Sequence, residues 1–263
     1  MNVPQLVTGV ENHVATITLN RPEVMNAFTD EMREGLFQRL QGYAADRQVR
    51  CVVITGAGKA FAAGGDVASM AELQDRNDAQ EIAARLTIGG KVVQLIRRMP
   101  QPVVAAVNGA AAGGGMNLAL ACDIRLGSDK AVFAESFVKI GLVPDWGGFT
   151  FLTRLVGTAK AMEVMMTGER IEAEEAFRLG LLNRLYPADR FQAEVEQFAA
   201  RLAAGPSAAL AAIKRGVYLG AEAPLAKALD FEAQAQPELF LSADAREGMR
   251  AFLEKRPPAF GAD

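Results

Sequence analysis

The chain has 263 residues, of which 50% are hydrophobic and 22% are charged, and its formal net charge is −3. This balance supports a buried core and argues against disorder, and the length fits one α/β unit with a helical extension. Acids and bases are interspersed, so the sequence offers no basic stripe for a nucleic-acid backbone. It contains neither the apolar run of roughly 20 residues that spans a bilayer nor a signal-peptide pattern, and we therefore expect a cytoplasmic protein.

Histidine and cysteine are scarce, which limits the chemistry that the chain can perform. His13 is the only histidine and lies between two strand-like runs, where it is typical of a turn. Cys51 and Cys122 lie in apolar runs without a Cys-x-x-Cys pattern, as buried thiols do. We therefore expect neither a histidine-dependent triad nor a metal site.

The N-terminal segment predicts a hairpin followed by a helix. Residues 5–9 and 14–19 have the composition and alternation of two half-buried strands. Apolar residues then recur at steps of three and four through residues 30–46, directly after the cap candidate Thr29. This spacing predicts one amphipathic helix.

Two short apolar runs, residues 51–55 and 103–107, are of the kind found in strands covered on both faces. A helical stretch at 78–98, ended by Pro100, lies between them. Strand, crossover helix and strand predict right-handed βα units.

The second half of the chain is predominantly helical by pattern. A short helix at 116–122 and a strand at 124–126 precede a loop-rich stretch that reaches to about residue 148. Nearly everything from residue 160 onward predicts helix, and a tail of this size needs a surface to bury, on its own core or on a neighbouring subunit. The breaks fall at Gly168, Gly180, Pro187, Gly205-Pro206 and Pro224.

Three segments could carry chemistry, and the first is residues 59–67, just after a strand. Gly64 and Gly65 lack Cβ atoms, so main-chain N–H groups there can approach a ligand atom closely. Asp66 can cap the helix that follows. A tight strand-to-helix turn without a ligand explains the same residues.

The second segment, residues 107–117, runs through small residues into the triple glycine at 113–115 and a helix. The free N–H groups of such a helix start favour an anionic oxygen, which makes it a candidate half of an oxyanion hole. The alternative is that the glycines only permit close packing of the helix on the sheet.

The third segment, residues 140–148, places Asp145 in a turn between Pro144 and Trp146. Partial desolvation in this apolar stretch would raise the pKa of the carboxyl and make it a better proton acceptor. The alternative is that Asp145 only caps a helix that begins near Gly147.

Taken in order, these segments resemble the crotonase superfamily, also called the enoyl-CoA hydratase/isomerase family. The resemblance implies an α/β fold, a spiral of ββα units followed by helices that assemble trimers, commonly paired into hexamers. It divides the chain into a CoA-thioester-binding core, residues 1–200, and a helical region, 201–263, for oligomerisation and pocket closure. The matching motifs are Leu19-Asn20-Arg21-Pro22 with Asn26-Ala27, Ala63-Gly64-Gly65-Asp66, Gly113-Gly114-Gly115, Gly141-Leu142-Val143-Pro144, Ala161-Met162-Glu163 with Thr167-Gly168, and Phe252-Leu253-Glu254-Lys255-Arg256.

The resemblance also implies where an acyl-CoA substrate binds. The main-chain N–H groups of Gly65 and Gly114 would hold the thioester oxygen while a base acts on the neighbouring carbon. Coenzyme A is part of the substrate, and no separate cofactor is expected. The implied substrate-binding residues are Asn26, Ala27, Phe28, Ala62, Ala63, Gly64, Asp66, Val67, Asn117, Phe137, Phe252 and Lys255.

The chain departs from the hydratases of this family at two positions. Where they carry catalytic glutamates, this sequence has Asn117 and Phe137, which cannot exchange protons with water or carbon. An Asp after Gly-Leu-Val-Pro, here Asp145, resembles the isomerases of phenylacetyl-CoA catabolism, which rearrange ring-1,2-epoxyphenylacetyl-CoA and can shift enoyl double bonds. The resemblance therefore favours a CoA-thioester isomerase in which Asp145 moves the proton.

Other interpretations remain open at this point. Glu135 is the carboxylate nearest to Asp145 in this part of the sequence and could serve as the base instead. It could also be the non-standard base of an enoyl-CoA hydratase. A catalytically silent acyl-CoA-binding protein is the alternative from another class. Dehalogenases of the superfamily combine an Asp at this place with a His and a Trp, and this chain has only His13.

Overall fold

The structure, a computed structural model, describes residues 4–261. These residues form two sheets and a set of helices that pack on and between them. The strands are β1 (Leu6–Glu11), β2 (Val14–Leu19), β3 (Cys51–Gly56), β4 (Ala60–Ala62), β5 (Val103–Val107), β6 (Ala110–Ala112), β7 (Ile124–Ser128), β8 (Val132–Ala134), β9 (Arg170–Glu172) and β10 (Arg184–Tyr186). The helices are α1 (Asp30–Ala45), α2 (Val67–Asp75), α3 (Ala79–Arg98), α4 (Gly114–Ala121), α5 (Gly148–Thr167), α6 (Ala173–Arg178), α7 (Ala188–Ala203), α8 (Ser207–Glu222), α9 (Leu225–Phe240) and α10 (Ala243–Glu254).

The six-stranded sheet has the order β1-β2-β3-β5-β7-β10. The predicted hairpin is confirmed, because β1 pairs antiparallel with β2. Strand β3 pairs parallel with β5, Val52 opposite Val103, so the predicted crossover unit is confirmed as well. All residues of β5 are buried, as expected for a strand covered on both faces.

The smaller sheet has the order β4-β6-β8-β9, and its first three strands are parallel. Each of β3, β5 and β7 in the large sheet is followed along the chain by a short strand of the small sheet and then by helix. This repeat is the spiral of ββα units that the resemblance implied, and the expected α/β fold is therefore confirmed.

Local sequence signals explain where the long helices begin and end. The Thr29 hydroxyl accepts a hydrogen bond from Met32 N at 3.1 Å, which caps α1 as predicted. Asp78 accepts from Glu81 N at 3.0 Å and caps α3, which ends at Arg98, two residues before Pro100. Such a cap typically contributes about 1 kcal/mol.

The structure differs from the sequence prediction in the second half of the chain. The three-residue strands β9 and β10 lie where helix was expected, because they complete the edges of existing sheets by pairing with β8 and β7. Helix α5 begins at Gly148 and is interrupted at Gly157, where φ is +76°. A strand of three residues is too short to show the alternation of apolar and polar residues that identifies a strand. The glycine interruption in α5 likewise breaks the helical spacing of its apolar residues.

The C-terminal helices α8, α9 and α10 leave apolar side chains exposed. None of the helices formed by the described residues is long and apolar enough to cross a membrane. The expectation that this region packs on a neighbouring subunit stays a prediction, as does the division at residue 200. The large exposed apolar side chains are Ile213, Val217, Leu225, Leu229, Phe240, Met249, Phe252 and Leu253 on the helices, and Leu241 directly after α9.

Candidate active site

A cavity of about 430 Å³ opens where the loops before α2, α4 and α5 meet the N-terminal half of α3. Its walls are apolar, with a few polar groups among them, as is usual for small-molecule sites. The predicted site residues that line it are Phe28, Ala63, Gly65, Val67, Gly114, Phe137 and Asp145.

The loop before α2 is held in a conformation that only glycine adopts easily. Gly64 has φ +90°, and its carbonyl accepts a hydrogen bond from Phe28 N at 2.7 Å. Because C=O and N–H point in opposite directions across a trans peptide, the Gly65 N–H points away from Phe28. A Cβ on Gly64 would lie 2.8 Å from Ala112 O and 3.0 Å from Gly114 N, so this loop touches the triple-glycine turn.

The three consecutive glycines have different roles. Gly113 precedes α4 with φ +51°, and Gly114 is the first residue of the helix, where an N–H has no partner within the helix. A Cβ on Gly115 would lie 2.1 Å from Ala62 O, so this glycine permits close packing. The close-packing interpretation is confirmed for Gly115, whereas the interpretation of Gly114 as half of an oxyanion hole stays a prediction.

Asp145 lies beside this helix start. A Cβ on Gly114 would be 3.6 Å from Asp145 Oδ1, and within residues 4–261 this buried oxygen accepts no hydrogen bond. Burial raises the pKa of Asp145 to about 6, and the Arg33 charge opposes the rise. A carboxyl with such a pKa is ionised at neutral pH and basic enough to accept a proton from carbon.

The interpretation of Asp145 as a side-chain helix cap is wrong. The residue before α5 is Gly147, and no side chain caps this helix. Only the main-chain carbonyl of Asp145 takes part, as acceptor from Gly148 N at 2.9 Å. The carboxyl is therefore left to face the cavity.

Aromatic side chains form the wall around the acid. Phe28 stacks on Trp146 with ring centroids 4.9 Å apart and an interplanar angle of 11°. Phe137 lies against the triple-glycine turn, 3.4 Å from where a Cβ of Gly113 would be. These rings exclude water from the carboxyl, which is the physical cause of its raised pKa.

Arg33 is a cavity residue that the sequence prediction missed. Its side chain is only 7% exposed, lies on α1 and pairs with Asp30 at 2.7 Å. Arg85 of α3 also lines the cavity and pairs with the other oxygen of Asp30 at 2.6 Å. The available signal was an arginine next to Met32 on the apolar face of an amphipathic helix.

Three predicted substrate contacts have completely buried side chains in the described chain, and their contact with a substrate stays a prediction. Asn26 accepts from Arg21 N at 2.9 Å and donates to Ala60 O at 2.8 Å, so its amide ties two loops together. Ala62 is buried in β4. Asn117 is buried and donates to Asp145 O at 3.0 Å. These residues support the site.

Three further predicted contacts lie beside the cavity without lining it. The Ala27 carbonyl accepts from the Arg21 guanidinium at 2.8 Å, and Asp66 pairs with the same guanidinium at 3.2 Å. Asp66 also caps α2 by accepting from Ser69 N, as predicted. Gly64 shapes the loop through its positive φ.

Phe252 and Lys255 do not line this cavity in the described chain. Phe252 is 83% exposed, and Lys255 follows the end of α10 with φ +56°. The prediction that they help to enclose acyl-CoA therefore requires a neighbouring subunit and stays a prediction.

The remaining reactive residues lie elsewhere. Cys51 and Cys122 are buried as predicted, and burial raises the pKa of each thiol to about 12. His13 occupies the turn of the hairpin with φ +65°. Within residues 4–261 no three His, Cys, Asp or Glu side chains are grouped so as to hold a metal ion.

The fold defines the class of the protein, since a spiral of ββα units with two glycine turns at one cavity is the arrangement of crotonase-like proteins. The sequence matches the family described as Enoyl-CoA hydratase/isomerase over residues 9–263. The chain belongs to this family of hydratases and isomerases.

Individual relatives carry different activities in their names. The "Probable enoyl-CoA hydratase" of Rhodobacter capsulatus is 44% identical over 95% of each chain. The 1,2-epoxyphenylacetyl-CoA isomerase of Escherichia coli is 38% identical over 97% of each chain. The crystal structure of an enoyl-CoA hydratase from Polaromonas sp. JS666 is 35% identical, covers 97% of this chain and 99% of its own, and has a TM-score of 0.92.

Proposed function

We propose that this protein is a CoA-thioester isomerase that works through an enolate. The observation that carries the proposal is the buried Asp145 carboxyl beside Gly114, whose Oδ1 accepts no hydrogen bond from any residue between 4 and 261. The Gly65 and Gly114 amides would bind the thioester oxygen. Asp145 would move the proton.

The reaction balances without any further reagent. In a double-bond shift, the Asp145 carboxylate takes a proton from the carbon next to the thioester carbonyl, and the electron pair moves onto the thioester oxygen as a dienolate. The same carboxyl returns the proton at the far end of the dienolate. Each oriented N–H donor at the oxyanion contributes about 3 kcal/mol to such a transition state.

The positions that carry glutamate in hydratases support an isomerase over a hydratase. Asn117 is buried and hydrogen-bonded to the Asp145 main chain, and Phe137 is an apolar wall. Water addition needs a group that activates water and one that handles the proton delivered to carbon, and neither side chain does so. Glu135 does not line the cavity.

Enoyl-CoA hydration is the second candidate, because the relative from Rhodobacter is named a hydratase. The two reactions give different products from different substrates. A 3-enoyl-CoA converted to the 2-enoyl-CoA supports the isomerase, whereas crotonyl-CoA converted to 3-hydroxyacyl-CoA supports the hydratase.

The decisive variant is Asp145→Asn, which keeps the size of the side chain and removes the base. We expect kcat for 3-enoyl-CoA to fall by about a hundredfold or more, with acyl-CoA binding retained. Undiminished turnover would overturn the role of Asp145. Binding of acyl-CoA by the unaltered protein without turnover of any enoyl or epoxide thioester would favour a silent binding protein.

Self-association is a separate proposal, carried by the apolar side chains exposed on α8, α9 and α10. We propose a trimer, alone or paired into a hexamer, in which helices from residues 201–263 cover one another and the core. Sedimentation equilibrium measures the state directly, and a monomer at micromolar concentration would contradict it.

A further inference from the structure

Glu135 is a fully buried acid that the proposed reaction does not use. It follows β8, its exposed fraction is 0%, and it does not line the cavity. Gly113 N donates to the main-chain carbonyl of Ala134 at 2.8 Å, so the residue before this acid is bonded to the triple-glycine turn. A buried carboxyl next to a catalytic turn needs a physical explanation.

The Glu135 carboxyl has no hydrogen-bond partner among residues 4–261. Within residues 4–261, neither Glu135 oxygen accepts a hydrogen bond, and the same is true of Asn117 Oδ1 and Asp145 Oδ1. A buried acceptor without a donor costs about 1–3 kcal/mol. A proton on a carboxyl supplies a donor, since the neutral acid carries an O–H group.

Within residues 4–261, no cation pairs with Glu135. The packed elements β6 and α4 contain no charged residue, and those of β9 and α6 are exposed or pair with one another. Lys139, four residues after Glu135, is exposed. The nearby charge is that of Asp145. Burial, and then this like charge, raises the pKa of Glu135 to about 8, against a smaller opposing effect of the Asn117 amide.

We propose that Glu135 is a positioning residue that stays protonated in the working enzyme and, through Asn117, holds the loop that carries Asp145. Asn117 N donates to Gly113 O at 3.0 Å, and Gly113 N donates to the carbonyl of Ala134, the residue before Glu135, at 2.8 Å. The Asn117 side-chain amide donates to Asp145 O at 3.0 Å. It also contacts Gly148, where a Cβ would lie 2.5 Å from Asn117 Nδ2. The inference rests on the proposed role of Asp145 as the base.

The neutral state matters because the reaction already keeps one negative charge in the site. Asp145 carries this charge before the reaction, and the charge passes to the thioester oxygen when Asp145 takes the proton. A second carboxylate at Glu135 would repel the developing oxyanion and disfavour it. A neutral acid supplies a hydrogen-bond donor without that charge.

The test compares two substitutions at one position. Glu135→Gln keeps a neutral side chain of similar size with a donor, and we expect kcat within about threefold of the unaltered enzyme. Glu135→Leu removes all hydrogen bonding, and we expect kcat to fall by about tenfold or more with a smaller change in KM.

The pH profile and the infrared spectrum report whether the Glu135 carboxyl is protonated. In the unaltered enzyme kcat/KM should decline above the Glu135 pKa of about 8, whereas in Glu135→Gln it should stay level there. Infrared spectroscopy at pH 7 should show a protonated-carboxyl band that shifts in D₂O and is missing from Glu135→Gln.

Different results would contradict the inference about Glu135 and the proposed function of Asp145. If Glu135→Gln is as inactive as Asp145→Asn, Glu135 has a proton-transfer role and the inference is wrong. A missing carboxyl band at pH 7, or full activity of Glu135→Leu, also overturns it. Full activity of Asp145→Asn would instead overturn the proposed function, so the two failures are distinguishable even if Glu135→Leu does not fold.

Discussion

Gly114 and Asp145 face each other at such a distance that a methyl group on the glycine would just touch the acid, 3.6 Å from Oδ1. The space that the missing side chain leaves lies between a helix-start amide and a carboxyl. In the proposed reaction this is where the thioester carbonyl and its neighbouring carbon must fit.

Gly114→Ala is therefore expected to block catalysis without unfolding the protein. The nearest contacts of the new methyl group, 3.6–3.8 Å, are ordinary, so the fold should tolerate it. We expect kcat/KM to fall by about ten- to a hundredfold, because the substrate loses its position against the amide. Steady-state kinetics and thermal unfolding measure both properties, and normal turnover would contradict the placement of the substrate.

The activity should depend on the ionisation of Asp145. Because the carboxylate is the proposed base, kcat/KM should fall tenfold per pH unit below the pKa of about 6. A profile that stays level down to pH 5 would be inconsistent with Asp145 as the base.

The same pKa predicts a gain in stability when the acid is removed. The pKa of Asp145 is raised from 3.8 to about 6, so its contribution to stability is present at low pH and is lost as the pH rises through 6. Asp145→Asn should thus increase the free energy of unfolding at pH 8 by on the order of 1 kcal/mol, with the difference shrinking toward pH 4. Denaturant titrations at both pH values test this.

Adjacent glycines in α3 provide a matched pair. A Cβ on Gly89 would lie 2.3 Å from Trp146 Nε1, whereas a Cβ on Gly90 meets nothing within 4 Å. Gly89→Ala should displace Trp146, and with it Asp145, and lower kcat/KM by about tenfold. Gly90→Ala should leave the kinetics unchanged and stabilise the helix by about 0.5–1 kcal/mol. Equal kinetics for both variants would show that Trp146 does not position the acid.

The Arg33 charge should set the pH below which kcat/KM falls. Its charge lowers the pKa of Asp145, so Arg33→Met should move the acid limb of kcat/KM to higher pH. We expect activity about threefold lower near pH 6 and little change near pH 8. Arg39→Met, on the exposed side of the same helix, is the control. If the acid limb of kcat/KM does not shift in Arg33→Met, Arg33 does not lower the pKa of Asp145.

A buried ion pair under the C-terminal helices should matter for stability. Lys214 lies 2.8 Å from Asp123 and also donates to two main-chain carbonyls. Lys214→Met leaves the acid without its cation and should lower the free energy of unfolding by about 3 kcal/mol. Lys227→Met removes an exposed pair with Asp230 and should have no measurable effect. Equal stability of the two variants would argue against the buried pair.

The amino-acid sequence by itself determined the local elements and named the candidate site residues. Hydrophobic spacing predicted the first hairpin, α1 and α3, with Thr29 as the cap of α1 and Pro100 as the end of α3, because these signals act within one or two turns of the chain. Gly64 and Gly113 were visible as glycines next to strands, and their positive φ explains why no other residue serves there easily. Asp145 was identifiable from its neighbours Pro144 and Trp146.

Only the tertiary structure decided which groups meet around the acid. The burial of Glu135, the reach of Arg33 into the cavity and the internal hydrogen bonds of Asn26 all depend on segments that are far apart in the sequence. The edge strands β9 and β10 likewise exist because a partner strand is available. Burial and pairing are properties of the packed chain, and these properties, unlike periodicity, set the pKa values on which the proposed chemistry depends.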